Sequence, residues 1–83
     1  MICRIRLFAR ARDLAGRDMM EVTLPAQATV ADLRHCLGNE CSTLRDLLAR
    51  CAVAVNEEFA NDAQQLPAEA EVAILPPVSG GSR

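Results

Sequence analysis

An α+β domain, with one mixed sheet packed against a main helix, is predicted by three features of this sequence. Several short stretches have the two-residue period of strands. One segment between them combines a capping signal with helical spacing, and no composition break divides the chain. At 83 residues there is room for a single hydrophobic core.

The first strand spans Ile2 to Phe8, with Cys3, Ile5 and Leu7 on one face and Arg4, Arg6 and Phe8 on the other. Ala9 to Leu14 are good helix formers, and Gly16 closes that turn in a left-handed conformation. A second alternation sets Met20, Val22 and Leu24 against Met19, Glu21 and Thr23 and stops at Pro25. The connection between the two suits an antiparallel pair with an elaborated loop.

Thr29 caps the main helix, and Asp32 three residues on completes a capping box near the positive end of the helix dipole. Val30, Leu33, Cys36 and Leu37 fall on one side, and Gly38 is expected to end the helix. Leu44, Leu47, Leu48 and Cys51 repeat the spacing, so a second helical segment begins near Ser42. His35 lies off the apolar stripe, which makes it a solvated surface residue. Ala52 to Asn56 reads as a short apolar strand with Asn56-Glu57-Glu58 as its turn. Asn61-Asp62 marks a further turn, Leu66 anchors a loop to the core, and Glu71 to Leu75 forms the last strand. The inner face then holds Ile5, Leu7, Val22, Leu24, Val53, Val55, Val72 and Ile74 under Val30, Leu33 and Leu37. Phe8, Ala73 and Leu75 are left as an apolar group on the outer face beside the chain's end, a candidate partner-docking surface.

A net charge of -2 and only two aromatic residues argue against a nucleic-acid partner. No apolar run approaches the roughly 18 residues of a membrane span, and Met1 to Arg6 lacks a signal-peptide pattern, so a cytoplasmic protein is expected with no membrane partner. Charge is uneven. Arg4, Arg6, Arg10, Arg12 and Arg17 fall early, whereas every charge from Asn56 to Leu75 is acidic, a polarity that could steer a partner or simply solvate the surface. All nine basic residues are arginine. The lack of lysine would spare an activated terminus its own amines, though a genome-wide preference for arginine codons explains it more simply. Cys3, Cys36, Cys41 and Cys51 include no CxxC pair and have one histidine nearby, so they read as small buried hydrophobes and no metal site is expected.

After the last strand come Pro76-Pro77-Val78-Ser79-Gly80-Gly81, then Ser82 and Arg83. Two prolines end the ladder and project an extended segment. Two glycines without side chains can enter a slot too narrow for other residues. This is a segment suited to insertion, with its chemistry at Gly81. No clustered acid, base and nucleophile emerges elsewhere, so the chain is not read as a catalyst on its own.

In Leu7 to Gly16, Thr29-Val30-Ala31-Asp32-Leu33, Val53-Ala54-Val55-Asn56 and above all Glu71 to Gly81, the chain resembles the small subunits of molybdopterin synthase, over almost its whole length. Those are sulfur carriers with a ubiquitin-like β-grasp fold. The resemblance implies a β-grasp domain at residues 1–76 and a Gly-Gly tail at 77–83. It implies that an ATP-using, E1-like adenylating enzyme activates the carboxylate of Gly81 and that a sulfur donor converts it to a thiocarboxylate. The large subunit of the synthase would then receive the tail, through Pro77, Val78, Ser79 and Gly80, for dithiolene formation in molybdenum cofactor biosynthesis. Phe8, Ala73 and Leu75 would dock, and the small subunit itself would bind no cofactor.

Two departures stand out. Ser82 and Arg83 follow the second glycine, so either a processing protease removes them or this chain is not a working carrier, and Pro67 to Glu71 replaces the family's frequent Gly-Asp turn. Three alternatives share these features: a carrier for another pathway of the thiamine type, a ubiquitin-like protein modifier, and a non-catalytic binding protein with a blocked tail.

Overall fold

The computed structural model describes residues 1–77. The alternating segments form strands β1 (Ile2–Leu7), β2 (Met19–Thr23), β3 (Ala52–Val55), β4 (Glu58–Ala60) and β5 (Glu71–Leu75). Helices are α1 (Ala9–Ala15), α2 (Val30–Glu40) and α3 (Arg45–Leu48), the last entered through a 3-10 turn at Ser42–Leu44. One five-stranded sheet has the order β2-β1-β5-β3-β4. β1 and β5 are parallel at its centre, and the flanking pairs are antiparallel.

The two-residue period decides which face is buried. Cys3, Ile5 and Leu7 on β1, Val22 on β2, Val53 and Val55 on β3, and Val72 and Ile74 on β5 are all at most 5% exposed. They meet Val30, Leu33 and Leu37 of α2 and Leu44, Leu47 and Leu48 of the second helical segment. Each such side chain contributes about 1.5–3 kcal/mol by leaving water. Leu66 pins the loop before β5 to this core, as expected.

α2 starts where the capping box places it: the Asp32 amide donates to Thr29 Oγ1 at 3.3 Å and the Thr29 amide to Asp32 Oδ2 at 2.9 Å. The loop between β4 and β5 satisfies the next donors, with the Val30 amide bonded to the Gln64 carbonyl and the Ala31 amide to that of Asp62. Arg34 ties the layer together. Its Nε donates to Asp62 Oδ1 at 2.8 Å, while one terminal nitrogen reaches the carbonyls of Leu48 and Cys51. A planar guanidinium can hold these divergent acceptors together, whereas an ammonium group lacks that fixed fork.

Two expectations are corrected. Gly38 does not end α2, which continues to Glu40 and caps at Cys41; Gly38 is buried against α3, and the tertiary contact outweighs its low helix propensity. Glu58 is not part of the turn. Asn56 and Glu57, with φ of 49 and 72°, make a tight connection, and Glu58 opens the short edge strand β4. The loop Pro67 to Glu71 keeps a left-handed residue without glycine, because Glu69 takes φ of 57° at a cost of roughly 1–2 kcal/mol.

A Cβ at Gly38 would lie 3.7 Å from both Arg45 Cγ and Leu48 Cδ1, an ordinary contact distance. Gly38→Ala is therefore expected to raise stability, by up to about 1 kcal/mol. Urea unfolding followed by circular dichroism checks this, and a lower midpoint would show that the interface with α3 has no room.

Candidate functional site

The site begins with the direction of β5. Because β5 lies parallel to β1, its C-terminal end emerges beside Phe8, and the chain continues through half-buried Pro76 and exposed Pro77. Gly81, Gly80, Ser79 and Val78, the residues read as the working end of the tail, lie outside the described residues. The structure therefore defines the platform from which they depart.

Phe8 is extended (φ -125, ψ 154°), so it continues the alternation of β1 onto the outer face. Ala9 then turns sharply, with φ of 51°, and α1 leaves the sheet; the Phe8 carbonyl accepts from the Ala11 amide at 3.1 Å. This break leaves the ring 40% exposed at the rim. Leu75 and Ala73 are half-buried on the same face. The three residues predicted to dock a partner thus share one face at the end where the tail departs.

Pairing across the sheet extends this surface. Met19 is opposite Arg6, Arg6 opposite Ala73, Ala73 opposite Ala54, and Ala54 opposite Phe59. Two alanines therefore form a low floor between larger neighbours. A shallow cavity of about 440 Å³ lies over it, with Arg6 and Phe8 among its lining residues. Glu57, Glu69 and Glu71 line it as well, and the register places Glu71 toward the end opposite the tail. The outer face is apolar near the tail and charged away from it, where Arg4 sits among acidic residues.

Phe59 was not anticipated from the sequence. It is 76% exposed, on a strand only three residues long, and so short a segment carries no readable period. The available signal was its aromatic character in a chain with only one other aromatic residue. Both rings sit outside the core, which is aliphatic.

The cysteines are components of packing. Cys3 and Cys51 are buried; Cys36 and Cys41 are half-buried against the core. Burial raises the Cys3 thiol, with the N-terminal ammonium opposing it and Cys36 adding to it. Burial also raises Cys36, helped by Glu40. It raises Cys51 despite the opposing arginines Arg34 and Arg50. Such thiols stay protonated near neutrality and are poor nucleophiles. His35 is exposed. Among the described residues no group of three or more His, Cys, Asp or Glu side chains is placed to hold a metal ion, and no helix is long and apolar enough to cross a membrane.

A five-stranded mixed sheet clasping one long helix, with its final central strand running out into a terminal segment, defines a ubiquitin-like β-grasp protein. The chain belongs to the ThiS family, which matches residues 5–81. Among its relatives, the molybdopterin synthase sulfur carrier subunit of Arabidopsis thaliana is 32% identical over 94% of this chain and 81% of the relative. SAMP1 of Haloferax volcanii, small archaeal modifier protein 1, superimposes with a TM-score of 0.89 at 28% identity, covering 98% of this chain and 100% of that one. A putative molybdopterin converting factor subunit 1 from Pyrococcus furiosus gives a TM-score of 0.85 at 28% identity, covering 94% and 99%.

Raised thiols have a definite effect on stability. Their folded pKa lies above the unfolded value of 9.0, so above pH 9 the unfolded state releases protons that the native state retains. That contribution is present below pH 9 and is lost as pH rises through the folded values. Chemical unfolding midpoints between pH 7 and 10.5 are expected to fall above pH 9. Cys51→Ala, although less stable at pH 7, should show a shallower fall; an equal slope would remove Cys51 from the account.

Proposed function

We propose that this chain is a sulfur carrier subunit of the molybdopterin synthase type. The observation that carries the reading is that central strand β5 ends beside Phe8, Ala73 and Leu75 and leads through Pro76 and Pro77 to the sequence Val78-Ser79-Gly80-Gly81. Membership of the ThiS family and the names of its relatives support it.

On this reading an E1-like enzyme uses ATP to adenylate the carboxylate of Gly81, and a sulfur donor replaces the adenylate to leave a thiocarboxylate. Adenylation makes an unreactive carboxylate electrophilic; sulfur then supplies a polarizable nucleophile. The large subunit takes in the tail through Pro77, Val78, Ser79 and Gly80 and provides the acids and bases for dithiolene formation. The chain's own contribution is delivery, and no bound cofactor is required of it. Gly81 is joined to Ser82 in the sequence, so its carboxylate must first be released by a protease that removes Ser82 and Arg83. The cytoplasm, where thiols remain reduced, is the compartment that suits this chemistry.

Intact mass spectrometry of the protein from its own cells tests the reading. The expected species has lost Ser82 and Arg83 and gained the mass difference between sulfur and one carboxylate oxygen. If the chain retains Arg83 and a version cut at Gly81 is refused by the activating enzyme, the carrier reading fails and a binding protein with a blocked tail replaces it. A second reading, protein modification through Gly81, is favoured by the similarity to small archaeal modifier protein 1. Gly81 linked to lysines of other proteins would select it.

For docking, Phe8→Ala is expected to weaken binding to the large subunit by about 1–2 kcal/mol. Because Phe8 is outside the core, folding stability should change by less than about 0.5 kcal/mol. Titration calorimetry paired with thermal unfolding separates the two effects, and unchanged affinity would remove Phe8 from the interface.

A further inference from the structure

The row of residues across the outer face is laid out for a copy of itself. Ala73 and Ala54 are direct cross-strand partners on β5 and β3. Arg6 lies one strand beyond Ala73, and Phe59 one strand beyond Ala54. A two-fold axis parallel to the strands, above the line between β5 and β3, exchanges these positions. It sets Ala73 over Ala54 of a second copy and brings Arg6 over its Phe59.

The next row follows the same rule. Arg4 pairs with Glu71 on β5, and the Asn56 amide donates to the Glu71 carbonyl, which puts the Asn56-Glu57 turn on the far side of that row. The same axis brings Arg4 toward Glu57 of the second copy and Glu71 toward its Asn56. We propose that the outer sheet face is a homodimerisation surface, with two copies packed face to face about an axis parallel to their strands.

Shape and charge both favour this occupant. Phe59 is the most exposed of the large apolar side chains, at 76%. The hollow floored by Ala54 and Ala73, with Arg6 and Phe8 in its lining, offers it a place on the facing copy. A guanidinium over an aromatic ring is favourable, increasingly so as water leaves. Neither Arg4 nor Arg6 makes a close ion pair among the described residues, although Glu21 and Glu71 are the cross-strand neighbours of Arg4 within its own sheet. The alternative two-fold, perpendicular to the strands along the Ala54–Ala73 row, would set Arg6 against Arg6 and bring no acid to Arg4, so charge selects the parallel axis.

This axis overlays four strands of each copy and leaves β2 outside, so at about 4.8 Å spacing and five residues of length the buried face is about 300 Å² per copy, or about 600 Å² in total. This falls below the range of stable complexes and describes a weak, rapidly exchanging dimer. It covers Phe8, Ala73 and Leu75, so any partner using that rim competes with self-association. The dimer itself requires no sulfur chemistry, and its test is independent of the carrier reading.

Sedimentation velocity on the full chain, up to about 1 mM, is expected to show a reversible monomer–dimer equilibrium. Arg4→Glu and Glu57→Arg should each weaken it about tenfold by placing like charges together twice per dimer. The double variant Arg4→Glu/Glu57→Arg should restore it, because each new acid again meets a new base. Phe59→Ala should also weaken it about tenfold. Circular dichroism identifies any variant that has lost its fold. A parent that stays monomeric throughout overturns the proposal, as do folded single variants that associate like the parent or a folded double variant no better than the singles.

Discussion

The parallel pairing of β1 with β5 is the constraint on which the rest of this structure depends. It brings the first and last strands together at the centre of the sheet, where each is flanked by another strand. Parallel neighbours need a long connection, and here the intervening chain supplies every helix as well as the outer strands. The register from Arg4↔Glu71 to Leu7↔Ile74 also fixes where the chain leaves the sheet. A strand at an edge would have met its terminal segment on one side only. At the centre, β5 delivers that segment between Phe8 on β1's extension and Ala52 on β3, which is opposite Leu75.

The core explains why the outer face is available. Its large members are Ile5, Leu7, Leu33, Leu37, Leu44 and Ile74, all at 0 or 1% exposure, without an aromatic residue among them. Branched aliphatic side chains fill the space between a twisted sheet and a helix in a domain this small. The two phenylalanines lie on the other face, where solvation of an aromatic ring is unfavourable until something covers it. The packed core and the exposed aromatic rings thus lie on opposite sides of one sheet only a single residue thick.

Much of this was legible in the sequence because the signals were local. Period-two alternation identified three of the five strands and an apolar run a fourth, and Thr29 with Asp32 located the start of α2. The features that were missed depend on distant partners. Gly38 looks like a helix stop until Arg45 and Leu48 are packed across it. β4 is too short to show a period and becomes visible through pairing with β3. Arg34 resembles any surface arginine until the carbonyls of Leu48 and Cys51 are brought beneath it. Glu69 holds a left-handed conformation that glycine adopts more easily, so its residue type did not mark the turn. The cysteines were read as uniformly buried, but Cys36 and Cys41 sit at the margin of the core, where helical periodicity alone does not resolve depth. For the candidate site, the rim Phe8, Ala73 and Leu75 followed from alternation, whereas Phe59 required the sheet order.

Separating the packed face from the exposed one also accounts for how this fold tolerates change. At 28% identity the Haloferax and Pyrococcus proteins retain TM-scores of 0.89 and 0.85. Conservative aliphatic exchange on the inner face costs little as long as volume is kept, which preserves the strand order and hence the exit of β5. Outer-face residues contribute little to packing, so their exchange leaves the strand order intact. In this chain the outer face carries two aromatic rings and an alanine floor. Changing them should leave the domain folded, because none of these side chains belongs to the cluster that α2 closes.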